Sequence, residues 1–308
     1  MFDTVNFWIN RLELTGGNPF AIQPYLSDIT ESQNERWGYS MSGNVGDYKV
    51  FCNQAGISLK GSLAKHFLQS NVLTLTRATT KEALQMLSDQ LHVDMFAANV
   101  NRLDISTIVP TKRQPTDYYN GLGNKAHFKR LQAAIETLYY LTDKRQLVFY
   151  DKTIEANVKG MNVPETLRGC KLLRYELRLT KELKRQLKRP EITGATLTDT
   201  AFYYSMVQLW KTEFDSIKKI GATMKTDTIK TPKEAQNALF AKLLQQGGQT
   251  IIDDFLADLR AANAFPDPKY YSRLKADLIG ILQTPTATDN SIIKELETAI
   301  ADVARYAR

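Results

Sequence analysis

Cysteine is scarce in this sequence, with Cys52 and Cys170 as its only two. They are too few for a disulfide framework and lack the close spacing of zinc ligands, so both read as buried thiols. Long hydrophobic runs are missing as well. No stretch of 18 or more apolar residues occurs, so no membrane-spanning helix is expected. The segment Met1 to Leu14 lacks the basic start and apolar stretch of a signal peptide, which predicts a cytoplasmic protein with no membrane partner. There is no internal repeat and no low-complexity segment. Acidic residues are in the minority, 33 against 40 Lys and Arg, for a net charge of +7 and a pI near 9.2.

The basic excess is concentrated centrally. Residues 111 to 190 hold 18 Lys and Arg against 8 Asp and Glu, a balance of +10, whereas residues 231 to 308 hold 9 against 10. A polyanion is the natural partner of such a patch, because each neutralised phosphate releases counterions. A solvated basic face kept for solubility is the alternative reading. The chain's 308 residues are enough to bury a sizeable core.

Up to about residue 180, period-two alternation and β-branched or aromatic residues predict strands. Tyr48 to Asn53 and Gly56 to Leu63 form a hairpin turned by residues 53 to 56. Val72 to Thr76 is another extended piece, and Thr79 or Thr80 caps a helix to about Leu91. Asn101 to Val109 returns to strand, and Pro110 to Gly123 reads as a polar, functional loop. Thr137 to Leu141 and Gln146 to Lys152 make a second hairpin, followed by a strand at Lys171 to Leu179. The period then changes. Leu197 to Lys219, Pro232 to Gln246, Thr250 to Ala262, Asp267 to Leu282 and Asn290 to Tyr306 predict amphipathic helices, punctuated by Gly247-Gly248, Pro266 and Pro285.

Residues two apart in a strand share a face, so parity sorts the chemistry. Leu103 and Ile105 oppose Arg102, Asp104 and Ser106. Leu173, Tyr175, Leu177 and Leu179 oppose Arg174, Glu176 and Arg178. Leu147 and Phe149 oppose Val148, Tyr150 and Lys152. Brought together, the second faces offer a kit for phosphodiester transfer. Asp104 and Glu176 are hard ligands for Mg²⁺ or Mn²⁺, Tyr150 is a nucleophile, and Lys152 compensates charge on the phosphate. The competing reading is an ion-pair network among Arg102, Asp104, Arg174 and Glu176.

Four segments stand in order: Gly61-Ser62-Leu63-Ala64-Lys65 with Asn71, Asn101-Arg102-Leu103-Asp104, Leu147 to Lys152 with Glu155, and Leu173 to Arg178. Together, over residues 45 to 190, they resemble the filamentous-phage gene II/gene X replication proteins. The resemblance implies a rolling-circle initiator that nicks one strand at a double-strand origin, holds the 5′ end on a tyrosine and rejoins it after strand displacement. Origin DNA, double- and single-stranded, would be its partner, with a host helicase and polymerase. The family's Tyr-x-Lys-x-x-Glu segment places the nucleophile at Tyr150. Related plasmid initiators with an Arg-x-Glu strand seat theirs on the following helix, which here offers Tyr203 and Tyr204. The paired-histidine nickases are distant analogues, since His66, His92 and His127 form no such pair. His66 is a candidate for metal binding or protonation.

The fold expected is α+β, an antiparallel sheet of ferredoxin-like arrangement with a helical C-terminal region. The expected division is a nicking domain at 1–230 and a helical domain at 231–308. Candidate DNA contacts are Lys60, Lys65, Arg102, Lys112, Arg113, Lys129, Arg130, Arg174 and Arg178. A non-catalytic origin-binding or repressor protein and an integrase- or transposase-type strand transferase remain as alternative functions.

Overall fold

The computed structural model describes residues 1–35, 38–70, 72–133, 136–158, 160, 163–220, 229–283 and 291–307, with backbone only at 34, 166, 245–250 and 282–283. Asn71, Pro285 and Asn290, singled out above, lie outside the described residues. Among the described residues, ten strands form one antiparallel sheet: β1 Phe2–Asn10, β2 Ser27–Asn34, β3 Gly38–Val45, β4 Tyr48–Asn53, β5 Gly56–Ser62, β6 Asn99–Thr111, β7 Lys129–Ala133, β8 Thr137–Leu141, β9 Arg145–Asp151 and β10 Lys171–Leu179. Their spatial order is β2-β3-β4-β5-β1-β6-β10-β9-β8-β7. The strands missing from the sequence reading are β2, β3, β7 and, most important for the site, β1, in which Val5, Phe7 and Ile9 alternate with Asn6 and Trp8. It lies between β5 and β6 near the middle of the sheet.

The helices are α1 Leu63–Leu68, α2 Arg77–Leu91, α3 Pro115–Tyr119, α4 Lys152–Val158, α5 Leu183–Gln186, α6 Gly194–Thr198, α7 Thr200–Asp215, α8 Pro232–Ala261, α9 Pro268–Gln283 and α10 Ser291–Tyr306. Apolar residues of α1, α2, α7 and α10 share one core with the alternate residues of the strands, among them Phe7, Leu59, Leu103, Ile105, Phe149 and Tyr175. On α7, Trp210 stacks on Tyr175 with ring centroids 4.7 Å apart and donates to that residue's carbonyl. These helices therefore cover one face of the sheet, and the α+β class stands as expected. A second apolar cluster joins α8 to α9 through Leu244, Ile252, Leu256, Tyr271 and Leu278.

Several boundaries differ from the sequence reading for identifiable reasons. The cap of α2 is Thr76, with Thr79 completing a reciprocal capping box, so the helix begins earlier. Leu63 opens α1 instead of ending β5, because Ser62 accepts from the Lys65 amide and caps the helix. Val72 to Thr76 belongs to no strand, since Val72 and Leu75 are both buried three residues apart, a spacing no strand face supports. Residues 110 to 123 are not an open loop. The strand runs on to Thr111, α3 follows, and both tyrosines are buried anchors, Tyr118 donating to Glu295 at 2.6 Å and Tyr119 to the Glu136 carbonyl at 2.9 Å. The helix expected at 197 to 219 is divided by Asp199, which caps α7 by accepting from Phe202. The two helices expected at 232 to 262 are one, α8. A Gly pair costs roughly 1 kcal/mol per residue in a helix, and the Leu244/Ile252/Leu256 stripe against α9 outweighs it.

Candidate active site

The face of the sheet opposite the helices collects the polar residues. Glu176 pairs with Ser106 of β6 and Val148 of β9, and Arg174 pairs with Ile108 and Tyr150. Directly opposed residues of antiparallel strands share a face, so Asp104, Ser106, Arg174, Glu176, Arg178 and Tyr150 converge. A register shift in β1 between Phe2 and Val5 adds Asp3 to this group. Small apolar packing of Val72, Ile108 and Leu172 closes one end of the face.

The hydrogen bonds define the site's electrostatics. Tyr150 donates its hydroxyl proton to Glu176 Oε1 at 3.0 Å. Arg174 is fully buried and donates to Asp3 Oδ2 at 2.5 Å, Ser106 Oγ at 2.7 Å and Glu176 Oε1 at 3.3 Å. Arg178 donates through Nε and Nη2 to Glu176 Oε2 at 2.8 and 2.6 Å. Arg102 grips Asp104 through both carboxylate oxygens at 2.9 and 2.7 Å. Ser62, from the Gly-Ser-Leu-Ala-Lys segment, donates to Asp3. Gly61 of that segment has no room for a side chain, because a Cβ would stand 2.8 Å from the Asp47 carbonyl and 2.9 Å from the Tyr48 ring.

Burial sets the protonation states. It pushes the Asp104 carboxyl up to about 6 against the pull of Arg102. It lifts the Tyr150 phenol well above its ordinary range, with Arg174 opposing and Glu176 adding to the shift. Burial works against the charge on Arg174, yet Asp3, Tyr150 and Glu176 hold its guanidinium firmly ionised. A cleft of about 400 Å³ opens beside the phenol, lined by Thr137, Tyr139, Val148, Tyr150, Ile154 and Arg178 among others. A larger cleft, about 590 Å³, runs between Lys112, Arg113 and α10. It contains no member of the Tyr150 cluster.

Lys152 reaches the site by a route that strand parity does not foresee. The strand ends at Asp151, whose carboxylate accepts from the amides of Thr153 and Ile154 and starts α4. Lys152 is buried, pairs with Glu155 at 2.7 Å and lies 5.9 Å from the Tyr150 ring centroid. Burial lowers its pKa despite the Glu155 partner.

The other candidates lie elsewhere. His66 is buried beside the Tyr48 ring, with Nε2 2.8 Å from Gln90 Oε1 and Nδ1 accepting from the Asp47 amide. Tyr48 belongs to the helix-side core, so His66 is not brought to Asp104 and Glu176. Tyr203 is buried on α7 in an edge contact with Phe2, on the helix side, and burial raises its phenol to about 12. Tyr204 is exposed on the same helix. The sheet separates both from Glu176.

Among the cations, Lys60 and Lys129 are exposed on the open face, and Lys112 and Arg113 are exposed beyond β6. Lys65 pairs with Asp47. Arg130 has the opposite parity to Lys129 and donates to the carbonyls of Leu122 and Tyr119, both at 3.0 Å. Replacing Arg130 by Ala should therefore cost about 1–3 kcal/mol of stability with little change in DNA affinity. Lys112→Ala, Arg113→Ala and Lys129→Ala together should do the reverse, in paired thermal-melt and anisotropy measurements.

Hard carboxylate oxygens suit Mg²⁺ or Mn²⁺, and Mg²⁺ is commonly held by one or two carboxylates plus substrate phosphates. Asp104 and Glu176 meet that requirement, although each now has guanidinium partners. Arg102 and Arg178, with side chains 32% and 27% exposed, have solvent to turn into. Among the described residues no three His, Cys, Asp or Glu side chains group together as a metal cage, and no helix is long and apolar enough to cross a membrane.

No curated protein matches the chain. A family model does, that of the N-terminal part of the phage replication-associated protein of gene II, and it extends over residues 1–212. The match takes in β1 and Asp3, which lie outside the motifs at residues 45 to 190, together with every strand of the open face. The chain is thus a member of this replication-associated protein family, the filamentous-phage gene II type of replication initiator.

Proposed function

We infer that the chain starts rolling-circle replication by cutting one strand at an origin through Tyr150. The observation that carries this reading is the Tyr150 hydroxyl donating to Glu176 beside a cleft that Arg178 lines. A candidate general base must lie within hydrogen-bond reach of the proton it takes, and Glu176 does. As the phenol oxygen attacks phosphorus, its proton passes to Glu176. The new O–P bond forms in line with the breaking P–O3′ bond, and O3′ takes a proton from solvent, leaving a 3′-hydroxyl and a 5′-phosphotyrosine. Arg178, at the cleft, and Lys152, beside the ring, offset charge growing on the phosphate oxygens, while Arg174 fixes Glu176 from behind. Asp104 and Glu176 would hold Mg²⁺ or Mn²⁺, which supplies polarisation of the phosphate. Attack by the freed 3′-hydroxyl on the phosphotyrosine reverses the step and recloses the strand. Residues 1–230, with α10 packed into their core, would carry this chemistry and the α8–α9 pair partner contacts; a host helicase and polymerase would act on the opened strand.

The test is a peptide map of the covalent adduct formed on supercoiled DNA bearing the cognate origin, with phosphate expected on Tyr150. Binding to the same DNA should fall steeply with salt, the slope reporting the phosphates contacted. A flat response would remove the exposed lysines of the open face from the interface.

A further inference from the structure

Two aromatic rings on the open face lie far from Tyr150. Trp8 of β1 and Phe51 of β4 both stand opposite Ser58 of β5, one on each side. The three residues therefore share a face and a level, with the rings two strands, about 10 Å, apart. Trp8 is half-buried and Phe51 is exposed. The indole lies over β5, where a Cβ on Gly56 would meet its Cζ2 at 3.0 Å, so glycine leaves room for a ring lying along the strand.

Next along the same face, Lys49 and Lys60 are directly paired, both exposed, with Asn6 opposite Lys60. Like charges facing each other across strands are unfavourable, and an anion between them relieves the repulsion. The only carboxylate that β1, β4 and β5 turn to this face is Asp3, buried under Arg174 and Ser62. Arg102, opposite Asn6, links this patch to Arg178, opposite Asp104. From Asn99, level with Trp8, to Ile108, level with Tyr150, is nine residues of β6, about 30 Å.

The geometry points to a second single-stranded DNA contact, remote from the Tyr150 cleft, in which bases stack on Trp8 and Phe51 and Lys49 and Lys60 hold the phosphate between them. This contact rests on the nicking reading for its purpose, which is to hold the strand several nucleotides from the cut. Planar rings beside paired cations are the makeup of sequence-tolerant single-strand sites. A duplex hides its base faces and cannot use the rings.

The test compares the parent chain with Trp8→Leu/Phe51→Leu, which retains apolar bulk and removes both rings. By fluorescence anisotropy, a 20-nucleotide homothymidine strand should bind about thirtyfold more weakly, with duplex of equal length unaffected and the thermal midpoint retained. Unchanged single-strand affinity would overturn the proposal. So would an equal loss on duplex, or a shift in sedimentation showing that the rings join copies of the chain. If the double variant does not fold, Phe51→Leu alone, at an exposed position, should weaken the strand about fivefold, and no change would be equally decisive. The Tyr150 adduct is read separately. Its absence from the parent chain would remove the nicking reading while the oligonucleotide affinities still decided this one.

Discussion

Tyr150→Phe is expected to abolish the covalent adduct, a loss on the order of 10⁴-fold or more in strand cleavage. The substitution keeps the ring in its cleft and deletes one hydroxyl, whose bond to Glu176 is worth about 1 kcal/mol net. Glu176 keeps Arg174 and Arg178 as partners, so no carboxylate is left bare. DNA affinity and the thermal midpoint should stay close to those of the parent, which separates chemistry from folding. Tyr203→Phe and Tyr204→Phe should form the adduct normally, because both lie behind the sheet. Adduct formation by Tyr150→Phe and its loss in either α7 variant would move the nucleophile to the helix.

Asp104→Asn is expected to raise stability at pH 7 by up to about 3 kcal/mol while nicking disappears. Burial raises the Asp104 carboxyl from an ordinary 3.8 to about 6. For an acid shifted upward, the folded state binds the proton more tightly than the unfolded one. The protonated form's advantage is complete below the unfolded value and is lost as pH rises through the folded one. The charged carboxylate thus costs stability at neutral pH, and asparagine removes that cost. The variant's gain should shrink between pH 6 and pH 4, measurable by urea unfolding across that window. A structural ion pair makes the opposite forecast, since deleting Asp104 would then lower the midpoint at pH 7. Gain of stability with loss of activity is the pattern of a carboxylate retained for function.

The separation between what can and cannot be read from sequence follows a physical line. Parity is local, so the chemistry-bearing faces of β6, β9 and β10 are legible, and the three strands prove to be neighbours. Strand order is not local. Nothing in the residues of β1 hints that it lies beside β6, and only the register shift at Phe2 to Val5 sends Asp3 into the cluster. In sequence Arg130 looks equivalent to Lys129, but a single step along β7 turns it to the helix side. His66 follows a motif that does serve the site, through Ser62, while its own ring turns to Gln90 across α1 and α2. The division at Asp199 turns on cap chemistry and the continuity of α8 on its packing against α9, and a propensity argument captures neither in full.

Arg102 and Arg178 have a further consequence because their partners are carboxylates of the same strand, two residues away. Every phosphate that enters must compete with an anion already attached. A free nucleotide offers one small set of oxygens for that exchange and gains little, whereas a polymer adds contacts at a distance that favour the swap. Self-occupied guanidiniums therefore act as a filter on ligand length, screening the site from the mononucleotides of the cell and admitting DNA.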